Sequence, residues 1–586
     1  MTAGGREGGG GWGRVVPVAW SLGLALVVVG PLLGSGYLLL RDAVSTPRSY
    51  LTDSALGLGD AAPRAVPQDA LLAAVSAVVD GGIVVKAILV GALWAAGWGA
   101  AVLARRLLQA SLGPQLVAAT VAVWNPYVAE RLLQGHWSLL TGYAALPWTV
   151  LAAQRIRLSA TSFRDWAALG GCLAAAGLTP TGALLAGLVA LLVVGRRRLV
   201  GTLALWAAAS APWLAATALS GAGAEPSDPA GVAAFAARAE PGLATVGSLA
   251  GLGGIWNGDA VPGSRTTVFA LAATAILVVM VALGIRRVAA EGETATRHTR
   301  RTLLFLAAAA IVVPALGATG WGMQVGEALI SRVPGAGLLR DTQKYVALAV
   351  PAYSLCAAAG CKAAADGLRR IRVVTHASNG IPLSATLFIA LLLVTLPDLA
   401  WGVGGALRPV HYPTSWQRVA ALVDGPGDVA MLPGGMFRKF PYSGRIPVLD
   451  PAPRMLPRDV LQTGELPVRG RTVAGEGNRA REVEQLLLHG GPPTELAAHG
   501  VGWVLVERTT PGPLGDSKNT LSQLDTVYSD DNLALYRVPA ATDTRTASHA
   551  THRHIAVAAH LLWALLLLAG PLALLGRRAR SARSLS

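Results

Sequence analysis

Residues Val15–Asp42, VVPVAWSLGLALVVVGPLLGSGYLLLRD, decide how the rest of the chain is read. The apolar run Val15–Leu40 is about 26 residues long, beyond the roughly 7–15 residues of a signal-peptide core, and no small-x-small cleavage site follows it. It reads as a retained first membrane span, with Asp42 as a carboxylate just outside. The segment that follows, Arg41–Asp80, is broken by Pro and holds Asp42, Asp53, Asp60, Asp69 and Asp80 without a single Glu.

Composition extends this reading to the whole chain. Of 586 residues, 53% are hydrophobic and 14% charged, and the mean hydropathy is +0.49; a soluble domain carries far more charge. The chain is an integral membrane protein. Its net charge of +16 does not mark a nucleic-acid surface, because the arginines cluster at alternate ends of apolar segments. The clusters are Arg105–Arg106, Arg155 with Arg157, Arg196–Arg198, Arg286–Arg287 with Arg297, Arg300 and Arg301, Arg369–Arg370 with Arg372, and Arg577–Arg578 with Arg580. This is the positive-inside pattern. The three cysteines, Cys172, Cys356 and Cys361, lie in apolar segments, which gives no support to a disulfide framework or a thiolate metal site.

About twelve segments meet the roughly 20-residue requirement of a bilayer, allowing for shorter helices inside a bundle. They lie near 15–40, 83–104, 112–126, 137–154, 165–178, 181–195, 199–219, 266–285, 303–318, 344–368, 383–402 and 556–576. With the N-terminus cytoplasmic, every Arg cluster and the C-terminal tail fall on the cytoplasmic side of the plasma membrane. Reading 165–195 as one helix would reverse all later loops, so a hairpin at Leu178–Gly182 is expected. The expected organisation is a polytopic region 1–402 with a first external loop 41–82, an extracytoplasmic α/β domain 403–555, and a last helix with a basic tail, 556–586. Within 403–555 the alternation predicts helices at Thr414–Val423 and Glu476–His489, strands at Asp428–Leu432 and Val501–Glu507, and a hairpin of Thr526–Tyr528 with Leu533–Val538.

Three groups of residues carry candidate chemistry, all on the external side. Asp42 lies at the depth where a lipid-embedded prenyl phosphate would present its sugar, and a base must come within hydrogen-bond reach of the attacking oxygen. Its bland alternative is a solvated helix end paired with Arg41 or Arg48. Asp53 is the next candidate in the same loop. The second group runs from Trp124-Asn125-Pro126-Tyr127 through Glu130-Arg131 to Gln134-Gly135-His136-Trp137. A Pro break and a polar cluster between apolar runs build a rim pocket. There Arg131 would clamp a phosphate, His136 would bind substrate or metal, and Trp137 would stack on a sugar, while an aromatic belt is the commoner role of such a Trp. Third, Arg340 and Lys344 stand four apart at the mouth of the tenth segment, where a helix would put them on one face to grip a phosphate; snorkelling is their alternative. No phosphate-cradling Gly-rich loop and no His-Glu-x-x-His motif occurs, and the spans hold almost no midplane charge, which argues against nucleotide-driven transport, zinc proteolysis and ion-coupled transport.

The plan resembles the GT-C class of membrane glycosyltransferases. An acidic residue follows the first span, external turns are short, and a soluble external domain precedes the last helix. The run Asn125-Pro126-Tyr127 to Gly135-His136-Trp137, with Leu146-Pro147-Trp148, is similar to actinobacterial cell-envelope members, including the membrane portions of arabinofuranosyltransferases; Tyr412-Pro413-x-x-Trp416 and Gly500-Val501-x-Trp503-Val504 look like their appended domain. The resemblance implies transfer of a sugar from a polyprenyl-phosphate donor to an envelope glycan or glycolipid, with Asp42 as the catalytic acid residue. Many members place a second acid beside it, where this chain has Arg41 and Ala43; a divalent metal is the one cofactor left open. From other classes, a non-catalytic protein that binds lipid-linked glycans or a partner enzyme, and a flippase or ligase, remain as alternatives.

Overall fold

The computed structural model describes residues 12–583 apart from 61, 62, 64, 159–161, 221–227, 334, 371–379, 469, 470, 476 and 542–546. The opening helix, Trp12–Val29, continues into one short 3-10 turn, Gly30–Leu33, and stops. Gly34-Ser35-Gly36 follows, with Gly36 at φ 107°, where a side chain would strike Val410 O. The apolar run then becomes a strand, Tyr37–Leu40. The expected span 15–40 is therefore a helix to residue 33 and an extended segment beyond it. Two glycine-bearing breaks end the helix, and the strand finds its partners on both edges: Ala43–Val44 through a two-residue turn, and Pro409–Val410 from far along the chain.

Among the described residues six helices are long and apolar enough to cross a membrane, or eight if each of two bent pairs counts as one span. They support a membrane protein without reaching the twelve spans expected. The six are Gly13–Leu33, Gly81–Leu108, Phe269–Ala290, Thr294–Gly317, Thr342–Arg369 and His549–Leu572. Several other expected segments are helices that are short, such as Leu112–Val123, Phe163–Ala176 and Pro180–Val194. The last two form the expected pair around Thr179, whose hydroxyl caps Gly182 N–H. The segment 199–219 bends by 64° after Ala209, and 383–402 bends by 73° before Pro397.

Contacts between helix ends show which ends lie together. Gln109 Nε2 donates to Glu293 Oε1 at 2.6 Å, His298 to Leu192 O at 3.1 Å, and Arg287 pairs with Asp366 at 2.8 Å. These bonds collect the Arg-bearing ends of the bundle, from Arg105 to Arg369, on one side. Arg372 lies outside the described residues, as do the side chains of Arg577, Arg578 and Arg580.

At the opposite end, strands Asp525–Ser529, Leu533–Arg537, Val501–Glu507 and Asp428–Leu432 pair in that order; the last pair is parallel and the rest antiparallel. Successive side chains of a strand point to opposite faces, and each face has its own core. Met431, Trp503 and Leu505 pack with Trp416 on one side, and Ala430, Leu432 and Val504 with Val483 and Leu487 on the other. The first of these cores also takes in Leu39, Val44 and Val410. The sheet region is thereby packed directly on the hairpin that carries Asp42.

Candidate active site

The hairpin turn is Arg41-Asp42, flanked by the pair Leu40 and Ala43. Two-residue hairpin turns call for positive φ, and Arg41 supplies it at 47°. A non-glycine residue there is strained, and the strain is held by specific bonds. The buried Arg41 guanidinium donates to Leu133 O at 2.5 Å and to Asp259 O, and Arg41 O accepts from Leu449 N at 2.8 Å. Asp42 N donates to Gln134 O at 3.2 Å. Asp42 is therefore a turn residue rather than a solvated helix end, and its side chain pairs with neither Arg41 nor Arg48.

Its partners come from the rim helix Pro126–Gln134. Asn125 caps this helix through Val128 N–H, and Pro126 occupies its first position, where the missing N–H costs nothing. Gly135 ends it at φ 88°; a Cβ there would lie 2.3 Å from Ala43 N and 2.5 Å from Leu40 O. Only glycine lets the rim helix touch the hairpin so closely. That contact brings Gln134 Nε2 and His136 Nε2 each to 3.1 Å from Asp42 Oδ2.

The chain of contacts continues inward. Arg131 Nη1 lies 3.0 Å from His136 Nδ1, and Arg131 grips Asp341 at 2.8 and 3.3 Å and also donates to Gln343 Oε1. An arginine can only donate, so Nδ1 is the acceptor and Nε2 carries the proton given to Asp42. One neutral tautomer of His136 satisfies both contacts. Burial pushes the imidazole pKa down, as do the charges of Lys344 and Arg131, against the opposing bond to Asp42. Burial alone would raise the Asp42 carboxyl, but the bonds from His136 and Gln134 and the charge on Lys344 hold it below its ordinary value. Asp341 falls to about 2: burial opposes this, and the Arg131 charge overrides it.

Asp42, His136 and Lys344 are the partly open members, with side chains 30, 17 and 25% exposed. Lys344 Nζ lies 3.8 Å from Asp341 Oδ2. Both side-chain bonds to Asp42 use Oδ2, and among the described residues no donor is placed on Oδ1. The arrangement is a carboxylate fixed at one oxygen, open at the other, and within the field of the Lys344 ammonium group.

Other expected residues take different places. Arg131 is fully buried against Asp341 and is not positioned to clamp a phosphate. Glu130, also fully buried, accepts from Gly254 N and Ile255 N at 3.1 Å and from Gln343 Nε2 at 3.0 Å; it ties the rim helix to the 253–259 loop. Burial and the nearby Glu240 charge raise its pKa. Trp137 is 2% exposed within the apolar core and presents no ring to a sugar. Arg340 and Lys344 do not share a helical face, because Asp341, at φ −83° and ψ 81°, precedes a tighter 3-10 helix, Thr342–Ala349. Arg340 instead lies 5.3 Å over the Phe235 ring. Asp53 belongs to a separate cluster with His549, at 2.8 Å, and Arg553.

The sequence had not marked Asn257, which donates to Gln134 Oε1 at 2.8 Å and fixes the amide facing Asp42. It had also not assigned Asp341 a role. An acid between Arg340 and Lys344 was the available signal for Asp341; Asn257 lies in a loop without periodicity and gave none.

Among solved structures, arabinofuranosyltransferase AftD from mycobacteria, in a mutant form, matches over 91% of this chain with a TM-score of 0.52 and 17% identity. The chain shares its fold with that structure. A second state of that mutant gives 0.48 and 16% over 90% of this chain. This chain spans 42% and 41% of the two matched chains. No family model matches the sequence, and no curated protein matches it.

The donor set at Asp42 does not suit a divalent ion. Among the described residues no group of three or more His, Cys, Asp or Glu could hold one. His136 turns an N–H, not a lone pair, toward Asp42, and Arg131 occupies its other nitrogen.

Proposed function

We propose that this chain is a membrane glycosyltransferase that moves a sugar from a polyprenyl-phosphate donor to a cell-envelope glycan or glycolipid on the extracytoplasmic face. The observation that carries the proposal is the Asp42 carboxylate, fixed through Oδ2 by His136 and Gln134, open at Oδ1 and within the field of the Lys344 ammonium group. The side of the membrane follows from the Arg clusters at the opposite end of the bundle, which the positive-inside rule assigns to the cytoplasm together with both termini.

In the proposed reaction Asp42 Oδ1 takes the proton of an acceptor hydroxyl as its oxygen bonds to the anomeric carbon. The bond from that carbon to the phosphate oxygen breaks, and the polyprenyl phosphate leaves with the electron pair. A phosphate leaving group needs no proton at neutral pH; it needs positive charge nearby, which Lys344 supplies. One open carboxylate suits a single displacement, and hence inversion at the anomeric carbon. Region 403–555 is proposed to present the acceptor, because its core is continuous with the Asp42 hairpin.

Asp42→Asn keeps size and the contact with His136 but removes the base. Transfer to a synthetic acceptor should fall at least about 10²-fold, within the range general-base catalysis contributes. Full transfer by a variant that inserts and folds normally would refute the assignment and favour a non-catalytic, glycan-binding protein.

A further inference from the structure

A polar cavity of about 450 Å³ opens where the first loop, the sheet region and the last helix meet. It is lined by Thr52, Asp53, Arg458, Asp459, His549 and Arg553. Its volume lies in the range of small-ligand sites. The stretch of the last helix long and apolar enough to cross a membrane is His549–Leu572, so the cavity sits at one end of that stretch.

The lining is built, not incidental. His549 and Arg553 stand four apart on one helix face and both bind the carboxylate of Asp53, which is 3% exposed. Asp459 Oδ1 accepts from Ser54 N at 2.8 Å, fastening the loop to the sheet region. Two carboxylates and two guanidinium groups cancel in formal charge, and the neutral balance disfavours a phosphate or other dianion, which wants excess positive charge. A carboxylate oxygen has two lone pairs and a guanidinium five N–H groups, so paired members keep capacity for further bonds. A lining that mixes charged donors and acceptors whose carboxylate and guanidinium charges cancel matches the vicinal hydroxyls of a sugar.

We infer that this cavity is a binding subsite for a neutral saccharide, the non-reacting part of the acceptor glycan. As an acceptor subsite it rests on the transferase function proposed above; as a saccharide site it is tested by binding alone. It gives Asp53 a recognition role apart from the chemistry at Asp42. A longer acceptor would be gripped here while its terminal hydroxyl reaches Asp42.

The test is titration of the full-length protein in lipid nanodiscs with a neutral pentofuranose trisaccharide, a neutral hexopyranose trisaccharide and inorganic phosphate, followed by calorimetry and saturation-transfer NMR. At least one trisaccharide should bind. Arg458→Ala and Leu51→Trp should each weaken it tenfold or more; Leu51 lines the cavity at 47% exposure, so the larger ring fills the cavity without touching an ion pair. Asp42→Asn should bind the trisaccharide like the wild type while losing transfer. No trisaccharide binding, binding unaffected by both cavity variants, or phosphate binding abolished by those same variants would each overturn the subsite. Full transfer by Asp42→Asn would overturn the catalytic assignment alone and leave the saccharide titration standing.

Discussion

His136→Ala separates a general base from a carboxylate that merely lies in the same place. The substitution removes the Nε2–H donor 3.1 Å from Asp42 Oδ2 and leaves Gln134 as the remaining side-chain donor. A hydrogen bond to a charged group contributes about 1.5–3 kcal/mol. If that bond only orients Asp42, transfer should fall roughly 10- to 150-fold, since each 1.4 kcal/mol is tenfold. The pH profile adds a second readout. In the proposed role Asp42 works only when ionised, and its pKa is held down partly by His136. Losing that donor moves the pKa upward, so the acid limb of the rate profile should shift to higher pH and the variant should lose more activity at pH 5 than at pH 8. The assay is transfer of a labelled sugar from a polyprenyl-phosphate donor in nanodiscs across that range. The wild-type profile should show no separate step from imidazole protonation near its usual value, because burial, Lys344 and Arg131 keep His136 neutral. A uniform loss at all pH values, or no loss, would refute the linkage between the two residues.

Three further outcomes follow from the same contacts. Arg131→Met leaves the Asp341 carboxylate, 7% exposed, without its bidentate partner; breaking a buried pair costs about 3–5 kcal/mol, so thermal unfolding should begin well below the wild-type midpoint. Gly135→Ala places a Cβ 2.3 Å from Ala43 N at φ 88°, and its cost of roughly 1–3 kcal/mol should appear both as lowered stability and as lost transfer, since the hairpin must move; retained transfer with normal stability would contradict the contact. Glu507, fully buried with Asp450 and Arg438, has its pKa raised by burial first and by the Asp450 charge next, well above 4.5. A raised carboxyl stabilises the fold fully below its unfolded pKa and loses that contribution as pH climbs through the folded value; melting temperature should therefore decline with rising pH above about 4.5 in the wild type, and Glu507→Gln should flatten that slope.

Much of the architecture was legible because membrane spans and sheet strands write themselves in period and length. Asp428–Leu432 and Val501–Glu507 were expected as strands and are strands with those bounds. The end of the first segment was not legible. Tyr37–Leu40 is as apolar as the helix before it, and its edge partner Pro409–Val410 is remote in sequence. The rim cluster was visible as a concentration of polar residues after a Pro break, yet which of its members face outward depended on pairing. Arg131 looked like a phosphate ligand because nothing in a one-dimensional string reveals that Asp341 folds onto it. The Arg340–Lys344 spacing assumed α-helical geometry, which Asp341 and the 3-10 turn deny.

The strand in place of a helix end explains why Asp42 can be positioned closely enough for chemistry. A carboxylate on the last turn of a helix would depend on one element and fray with it. The Arg41-Asp42 turn is instead held from three directions: by the rim helix through Leu133 O and Gln134 O, by the 253–259 loop through Asp259 O, and by the sheet region through Leu449 N. Each bond fixes a different degree of freedom of the turn, and together they hold Arg41 at a positive φ that an unsupported hairpin would relax. A base must stay within a fraction of an ångström of its working position, and preorganisation of this kind is supplied before substrate arrives. The same three-way attachment couples region 403–555 to Asp42, so under the proposed function a glycan seated on that region would bear mechanically on the carboxylate that deprotonates it.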